Sequence, residues 1–324
     1  RSGALRALAA GALLVAGAAG ATAQQETAPD QSPANGARGP VVLGGGVPFG
    51  LYFPLAGAIC RLLEGEGHGC VVAPLSDSEA AIEALQRAEV QLALVQSDWL
   101  AHAVAGTSRF SEAGPAETLR AVAALHGEGL VILVRDGDGI DAPEALEGAR
   151  LSRGPDESYR ALLSYALLEA AGLGTDDLAQ LGIEDVRTGL AKLCRGEVDA
   201  VAAVTAMPSA VRSAAPTGCS IRFMALDPDL AEEAGEDMPG VSPLSLPVEG
   251  EGDRLVSFGL TAVLTTTADS DPAVVERVAN ALVTGAQGLA RLHPALATIT
   301  GEELGTASRF APLHPAAGAL YENR

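Results

Sequence analysis

The stretch VVLGGGVPFGLYFPLAGAICRLL, running from Val41 to Leu63, decides the fold. Val41, Val42 and Leu43 form a short apolar run of strand character. Gly44, Gly45, Gly46 and Gly50 follow as a loop. Pro54 suits a first helical turn, where its missing N–H would have no partner anyway. Leu55, Ile59, Leu62 and Leu63 then repeat at helical spacing. A strand, a glycine loop and a helix start direct backbone N–H groups at one spot, and the helix dipole favours an anion there. The loop does not fit G-x-G-x-x-G, because Phe49 takes the place of the third glycine. It is not a P-loop either, since no Gly-Lys-Ser/Thr follows. Two readings stand at this point: an anion-binding turn, or a plain strand-to-helix connection.

Before this stretch, Arg1 and Arg6 precede a run of Ala, Leu, Val and Gly ending in Ala21-Thr22-Ala23. That is the pattern of a signal peptide, residues 1–23, with cleavage expected before Gln24; a retained anchor is the alternative. Residues 24–39 (QQETAPDQSPANGARG) are polar and read as a flexible leader. No later segment is apolar and long enough to span a bilayer, so the expected mature protein is exported, periplasmic and not inserted in the membrane. The chain has 21 basic and 41 acidic residues, a net charge of −20, and Lys192 is its one lysine. Such a surface repels nucleic acid and anionic lipid, which excludes both as partners. Aromatics are only 3% of the 324 residues, so the cores must be built from Ala, Val and Leu.

Cys60, Cys70, Cys194 and Cys219 are an even set, which in an exported chain suggests two disulfides. Three pairings are possible. Cys60–Cys70 and Cys194–Cys219 are favoured, since each then lies within one expected lobe. No C-x-x-C occurs, and the five histidines show no metal-ligand spacing, so no metal or cofactor is expected.

Further strands are expected at Cys70–Ala73, Val90–Val95, Leu119–Leu125, Leu130–Arg135, Leu151–Arg153, Val198–Val204, Ile221–Leu226 and Leu255–Thr265. Helices are expected at Ala80–Arg87, Trp99–Val104, Tyr159–Ala171, with Leu162 on the apolar side, and Val186–Leu193. A long helix starts at Pro272, capped by Asp271. Asp227–Asp253 reads as an acidic loop. The alternation predicts a parallel sheet covered by helices. The C-terminal helix fits best against the first lobe. Residues 40–135 and 256–324 then form lobe I, and residues 136–255 an inserted lobe II, with a cleft between them.

With these motifs in order, the sequence resembles the TAXI group of extracytoplasmic solute receptors, the binding proteins of tripartite (TRAP) transporters. Gly44, Gly46, Gly50, Tyr52 and Pro54 look like its glycine-rich opening. Cys60-Arg61-Leu62 and His68-Gly69-Cys70 resemble a subgroup in which those cysteines recur. Gln96-Ser97-Asp98-Trp99, Leu125-His126 with Glu128, Gly196 to Ala200, and Pro312 to Tyr321 are similar to further family segments. The resemblance implies an α/β, type II periplasmic-binding-protein-like fold, with two lobes and a hinge. It implies a partner permease in the membrane, and a ligand that is a small organic acid or amino acid such as glutamate. The family's Gly-Gly-Ser-x-x-Asn is here Ser76 to Ala81, and its Gly-x-Pro-Gly-Ser-Gly loop is Gly154 to Tyr159. Asp156 and Glu157 in that loop would repel a bound carboxylate, which points to a smaller, zwitterionic or less acidic ligand.

The expected ligand-binding residues are Gly46, Phe49, Gly50, Tyr52, Ser78, Ser97, Asp98, Ser158, Tyr159 and Arg160. Ser78 and Ser158 would donate to a carboxylate from helix starts, although serine at such a place is also a common N-cap. Arg160 would clamp an anion with paired hydrogen bonds, or else be a solvated helix charge. Tyr52 would close over the ligand, and Phe49 would narrow the pocket. His126 and His314 are read as packing or hydrogen-bonding residues. A ligand-sensing subunit for a membrane kinase and an exported hydrolase are the competing classes. Against the second stands the absence of G-x-S-x-G and H-E-x-x-H.

Overall fold

The apolar run at Val41 forms a strand because both of its neighbours are strands and both of its faces are covered by helices. The computed structural model describes residues 39–48, 50–248, 254–296 and 299–322. The expected signal peptide, leader residues 24–38 and Phe49 lie outside the described residues. The strands are β1 (Val41–Gly45), β2 (Cys70–Pro74), β3 (Leu92–Gln96), β4 (Leu119–Arg135), β5 (Arg150–Ser152), β6 (Gln180–Gly182), β7 (Ala200–Thr205), β8 (Ile221–Phe223), β9 (Ser242–Pro247) and β10 (Arg254–Thr267). The helices are α1 (Tyr52–Gly65), α2 (Ser78–Gln86), α3 (Ser97–Ala105), α4 (Tyr159–Ala170), α5 (Val186–Cys194), α6 (Pro208–Ser213), α7 (Pro228–Glu233), α8 (Pro272–Ala290), α9 (Gly301–Gly305) and α10 (Pro315–Glu322).

The sheet runs β2-β1-β3-β10-β4-β7-β5-β6, with β8 beside β4 and β9 beside β10. It is mixed, which corrects the expectation of a parallel sheet. β1, β2 and β3 are parallel, as are β5, β6 and β7, but β10 is antiparallel to β3 and β4, and β4 is antiparallel to β7. The reason is topological. The chain leaves the first half along β4 and returns along β10, so these two strands must run in opposite directions.

The two strands expected at Leu119 and Leu130 are one strand of 17 residues. Gly127 and Gly129 look like a break in sequence, yet they keep the chain extended where β4 passes from one half to the other. A Cβ on Gly127 would lie 2.7 Å from the Leu244 side chain, and one on Gly129 would overlap the Ser257 hydroxyl. One on Gly259 of β10 would overlap the Glu128 carbonyl, so β4 and β10 approach backbone to backbone.

Beyond the crossing, side chains of β4 alternate between two cores. Leu130, Ile132 and Val134 join Leu163 and Leu167 of α4, while Val131 and Leu133 join Leu190 and Leu193 of α5. In the first half, Leu43, Leu55, Ile59 and Leu282 pack on one face of the sheet, and Ile82, Val95, Leu100 and Val263 on the other. Leu162 is exposed, contrary to expectation, because α4 turns Ala161, Leu163, Leu167 and Leu168 inward instead. The expected acidic loop contains α7 and β9. Asp227 caps α7 with Pro228 in its first turn, and β9 pairs with β10 despite Pro243 and Pro247. Strand β6 and helices α6 and α9 had no distinct signal in the sequence.

Cys60 is bonded to Cys70 and Cys194 to Cys219, tying α1 to β2 and the end of α5 to the segment before β8. The closing segment adds to β4: Ala121 N–H donates to Pro312 O at 3.0 Å and His314 N–H donates to Ala121 O at 2.9 Å. A register irregularity in β4 frees the Val122 carbonyl, which accepts from the Tyr321 hydroxyl at 2.9 Å.

Asp199 organises the second half. Its carboxylate accepts from Arg150 at three donors, N–H at 2.9 Å, Nε at 2.8 Å and Nη2 at 2.7 Å. The Arg150 side chain is the main reason the carboxyl is held down at about 2, below the ordinary 3.8. Its folded pKa is depressed, so the stability it contributes is present above 3.8 and is lost as pH falls towards about 2. Asp199→Asn should therefore lower stability near neutral pH by about 1–2 kcal/mol, a figure reduced for the partial exposure of Arg150. The gap from the parent should shrink between pH 4 and 2 in urea denaturation series. A constant gap across that window would show that the ion pair does not carry the effect.

Candidate functional site

Three parallel strands of the first half end at one edge, and a helix starts after each. β1 runs into the glycine loop and α1, β2 into Ser76 to Ser78 and α2, and β3 directly into α3. In open α/β sheets a ligand crevice forms outside the carboxyl ends of parallel strands, where helix N-termini converge. A pocket of about 260 Å³ lies there. Its wall includes Gly46, Gly50 and Tyr52 from the opening loop, and Ser76, Asp77 and Ser78 before α2. Gln96, Trp99 and Glu128 complete it from β3, α3 and β4.

Of the expected binding residues, Gly46, Gly50, Tyr52 and Ser78 come together in this wall. A Cβ on Gly46 would stand 3.1 Å from that of Tyr52, so the loop closes tightly over the ring. Asp77, not Ser78, caps α2, accepting from the Ala80 N–H at 2.8 Å. The Ser78 hydroxyl accepts from the Gln96 N–H at 3.0 Å, which leaves its own proton to donate. Asp98, on the first turn of α3, is only partly exposed. Burial raises its carboxyl above the ordinary carboxylate value, opposed by the Trp99 N–H, which donates to it at 2.7 Å.

Tyr159 starts α4 in the second half and packs against that half's core. Its phenol is raised first by burial and then by the charge of Asp98. The Tyr52 phenol is raised well above its usual value, first by burial, then by Glu128 and Asp98.

Ser97, Ser158 and Arg160 serve the scaffold instead. The fully buried Ser97 hydroxyl donates to Gly240 O at 2.6 Å and accepts from Thr261 N–H at 2.9 Å. It thereby joins α3 to β10 and to the segment before β9. The Ser158 hydroxyl accepts from Ala161 N–H at 3.1 Å and donates to Pro155 O at 2.6 Å. Both of its functions are spent within the α4 cap. Arg160 is neither a solvated charge nor a free clamp. Its guanidinium packs against Gly154, whose φ of +87° and lack of a Cβ make room, and it donates to the carbonyls of Ala202 and Glu184.

Glu128 and His126 are the site residues the sequence reading assigned no binding role. They lie in the one polar interruption, His126-Gly127-Glu128-Gly129, of an apolar strand. His126 is fully buried, and neither ring nitrogen has a hydrogen-bond partner. Its Nε2 is 3.6 Å from Glu128 Oε1, and the Tyr52 ring meets its ring edge-on with centroids 5.7 Å apart. No arginine or lysine pairs with Asp98 or Glu128 among the described residues, and no group of His, Cys, Asp and Glu there is placed to hold a metal ion. No helix among them is long and apolar enough to cross a membrane.

Comparison with known proteins bears on the family and the fold. The chain matches the NMT1-like family over residues 43–324. The periplasmic sulfonate-binding protein SsuA of Methylobacillus flagellatus KT has a TM-score of 0.50 at 12% identity, over 88% of this chain and 84% of that one. The aliphatic sulphonate-binding protein SsuA of Escherichia coli scores 0.44 at 15% identity, over 88% and 78%. The L-cystine solute receptor of Neisseria gonorrhoeae, in its unliganded open conformation, scores 0.45 at 12% identity, over 86% and 96%. At these identities the shared property is the fold, that of two-lobed periplasmic binding proteins.

If Ser158 works only as a cap, Ser158→Ala should cost about 1 kcal/mol of stability in urea denaturation. Ser158→Asp, which keeps an acceptor for the Ala161 N–H, should retain most of it. An unchanged midpoint for the alanine variant would remove the capping role.

Proposed function

The chain belongs to the NMT1-like family, and from that premise we propose that it is an extracytoplasmic solute receptor of a membrane transporter rather than an enzyme. The observation that carries the reading is the pocket at the carboxyl ends of β1, β2 and β3, where the starts of α1, α2 and α3 converge. In this reading the second half closes over the pocket when solute is bound, so ligand and closure are coupled. We place the division of the lobes at the crossing of β4 and β10, near Gly129 and Gly259, slightly inside the expected bounds of 40–135 with 256–324 and 136–255, because Leu130 to Val134 and Phe258 pack with the second half. Gly46, Gly50, Tyr52, Ser78, Asp98 and Tyr159 contact the ligand, while Ser97, Ser158 and Arg160 hold the walls that carry them.

The ligand we propose is a small carboxylate of the amino-acid class, such as glutamate. The Ser78 O–H and the helix starts around the glycine loop supply donors for its carboxylate. The permease partner is proposed to be of the tripartite TAXI type. The motifs that favour it are Gly44 to Pro54, Gln96 to Trp99 and Pro312 to Tyr321. The solved structures compared are receptors of other transport systems, and at their low identity they do not bear on that choice. Two disulfides and the basic-apolar start of the chain support export to the periplasm.

A thermal-shift screen of amino acids and short carboxylates tests the reading. A ligand at about a hundred times its Kd should raise Tm by about 5–10 °C. Small-angle scattering with that ligand should give a smaller radius of gyration. Tight binding at constant radius would sever binding from closure.

A further inference from the structure

A second cavity, of about 370 Å³, lies at the crossing of β4 and β10. It shares no lining residue with the pocket at the ends of β1, β2 and β3. Gly127 stands in its wall, while the next residue, Glu128, stands in the wall of the other pocket. Successive residues of a strand face opposite ways, so the two sites lie on opposite sides of β4. Leu125 of β4, Leu244 and Leu246 of β9 and Val256 of β10 make much of the wall apolar.

The polar groups of this wall are unevenly engaged. The Thr306 hydroxyl donates to Glu303 O at 2.7 Å, and the Glu303 carboxylate accepts from Arg254 at 2.9 Å. The Ser245 hydroxyl accepts from Arg254 Nε at 2.8 Å. Ser242 and Thr261 differ. They are 7% and 6% exposed, and neither hydroxyl has a hydrogen-bond partner among the described residues. Buried polar groups in native folds are seldom left so. The register brings the two together: Ser242 pairs with Gly259, two residues before Thr261, which makes them diagonal neighbours across β9 and β10. Arg309 is exposed, stands in the same wall and pairs with no carboxylate among the described residues. What the cavity holds in reserve is therefore a set of donors.

We propose that this cavity is a second binding site, separate from the solute pocket, for a small monocarboxylic acid with an apolar chain. An ionised carboxylate only accepts hydrogen bonds, a guanidinium only donates them, and a free hydroxyl can donate. Arg309 gives the charge-assisted bond, and Ser242 and Thr261 give the others. The leucines and Val256 receive the chain, whose burial drives binding. A ligand of the wrong charge meets opposition here. An ammonium would stand against Arg309, while the one carboxylate in the wall, Glu303, is already held by Arg254. A dicarboxylate would set its far end against the apolar wall or in the adjoining groove. That groove shares Ser242 and Arg309 with the cavity but carries Asp229, Glu232, Glu233 and Glu236, which would repel it. The site stands apart from the reading of the solute pocket, and neither needs the other.

Isothermal calorimetry on the intact protein at neutral pH tests this with probes of equal chain length: hexanoate, hexanol, hexylamine and adipate. Hexanoate should bind with a Kd below about 1 mM, and each of the others about tenfold or more weakly than hexanoate. Arg309→Gln, a change at an exposed side chain, and Ser242→Ala should each weaken hexanoate by about fivefold or more. Ser78→Ala, in the solute pocket, should leave its affinity unchanged. No binding of hexanoate overturns the second site and leaves the receptor reading standing. Hexanol or hexylamine binding as tightly as hexanoate overturns the carboxylate assignment, and adipate doing so overturns the restriction to one charge. Unchanged affinity in both Arg309→Gln and Ser242→Ala overturns the site itself. A loss confined to Ser78→Ala also overturns it, by moving the acid into the solute pocket, and supports the receptor reading.

Discussion

Two strands must pass through the same narrow waist, and nearly everything else about this protein follows from how closely they do so. Gly127, Gly129 and Gly259 remove the side chains that would hold β4 and β10 apart, and Glu128 O meets Gly259 almost backbone to backbone. The Ser257 hydroxyl, fully buried, fills the remaining polar need by donating to Leu130 O at 2.7 Å. Because the two strands are antiparallel partners as well as connectors, the two halves share one continuous sheet.

The waist also explains where the chemistry collects. A strand that carried only apolar residues through the crossing would give the cleft a blank floor. β4 instead carries His126 and Glu128 on either side of a glycine, and the bulge opposite Ala262 aims the imidazole at the carboxylate. The helix starts of the first half approach it from one side. The polar groups that hold this frame are already bonded: Ser97 to Gly240 and Thr261, Ser158 within its cap, and Arg160 to two carbonyls. The His126 ring, whose nitrogens have no hydrogen-bond partner, lies buried beside Glu128 of the pocket wall.

The resemblance motifs acquire physical meanings in the fold. The aspartate of Gly196 to Ala200 pins Arg150 and so locks β5 beside β7. The tyrosine of the closing segment supplies the donor for a carbonyl freed by a strand irregularity. His314 sits buried at the start of α10, where its Nδ1 accepts from the Ala316 N–H at 3.3 Å. These are architectural duties, and they show why such residues can recur without touching a ligand.

Local chemistry was enough to make most of the elements legible in the residues alone. Val41 to Leu63 had to be a strand, a loop and a helix, because apolar period, glycine and proline all act within a few bonds. The same holds for the cap at Asp271. Of the three cysteine pairings open in sequence, the favoured one, Cys60–Cys70 with Cys194–Cys219, is the one whose sulfurs are bonded. Three things depended on contacts between distant segments. Gly127 and Gly129 read as a break until the neighbouring strand accounted for them. Arg160 read as free until the carbonyls of Ala202 and Glu184 came within reach. Glu128 and His126 carried no binding role until the bulge and the converging helix starts made them one corner. Short-range sterics write secondary structure into the chain, but whether a polar group is satisfied or waiting depends on partners that only folding brings near.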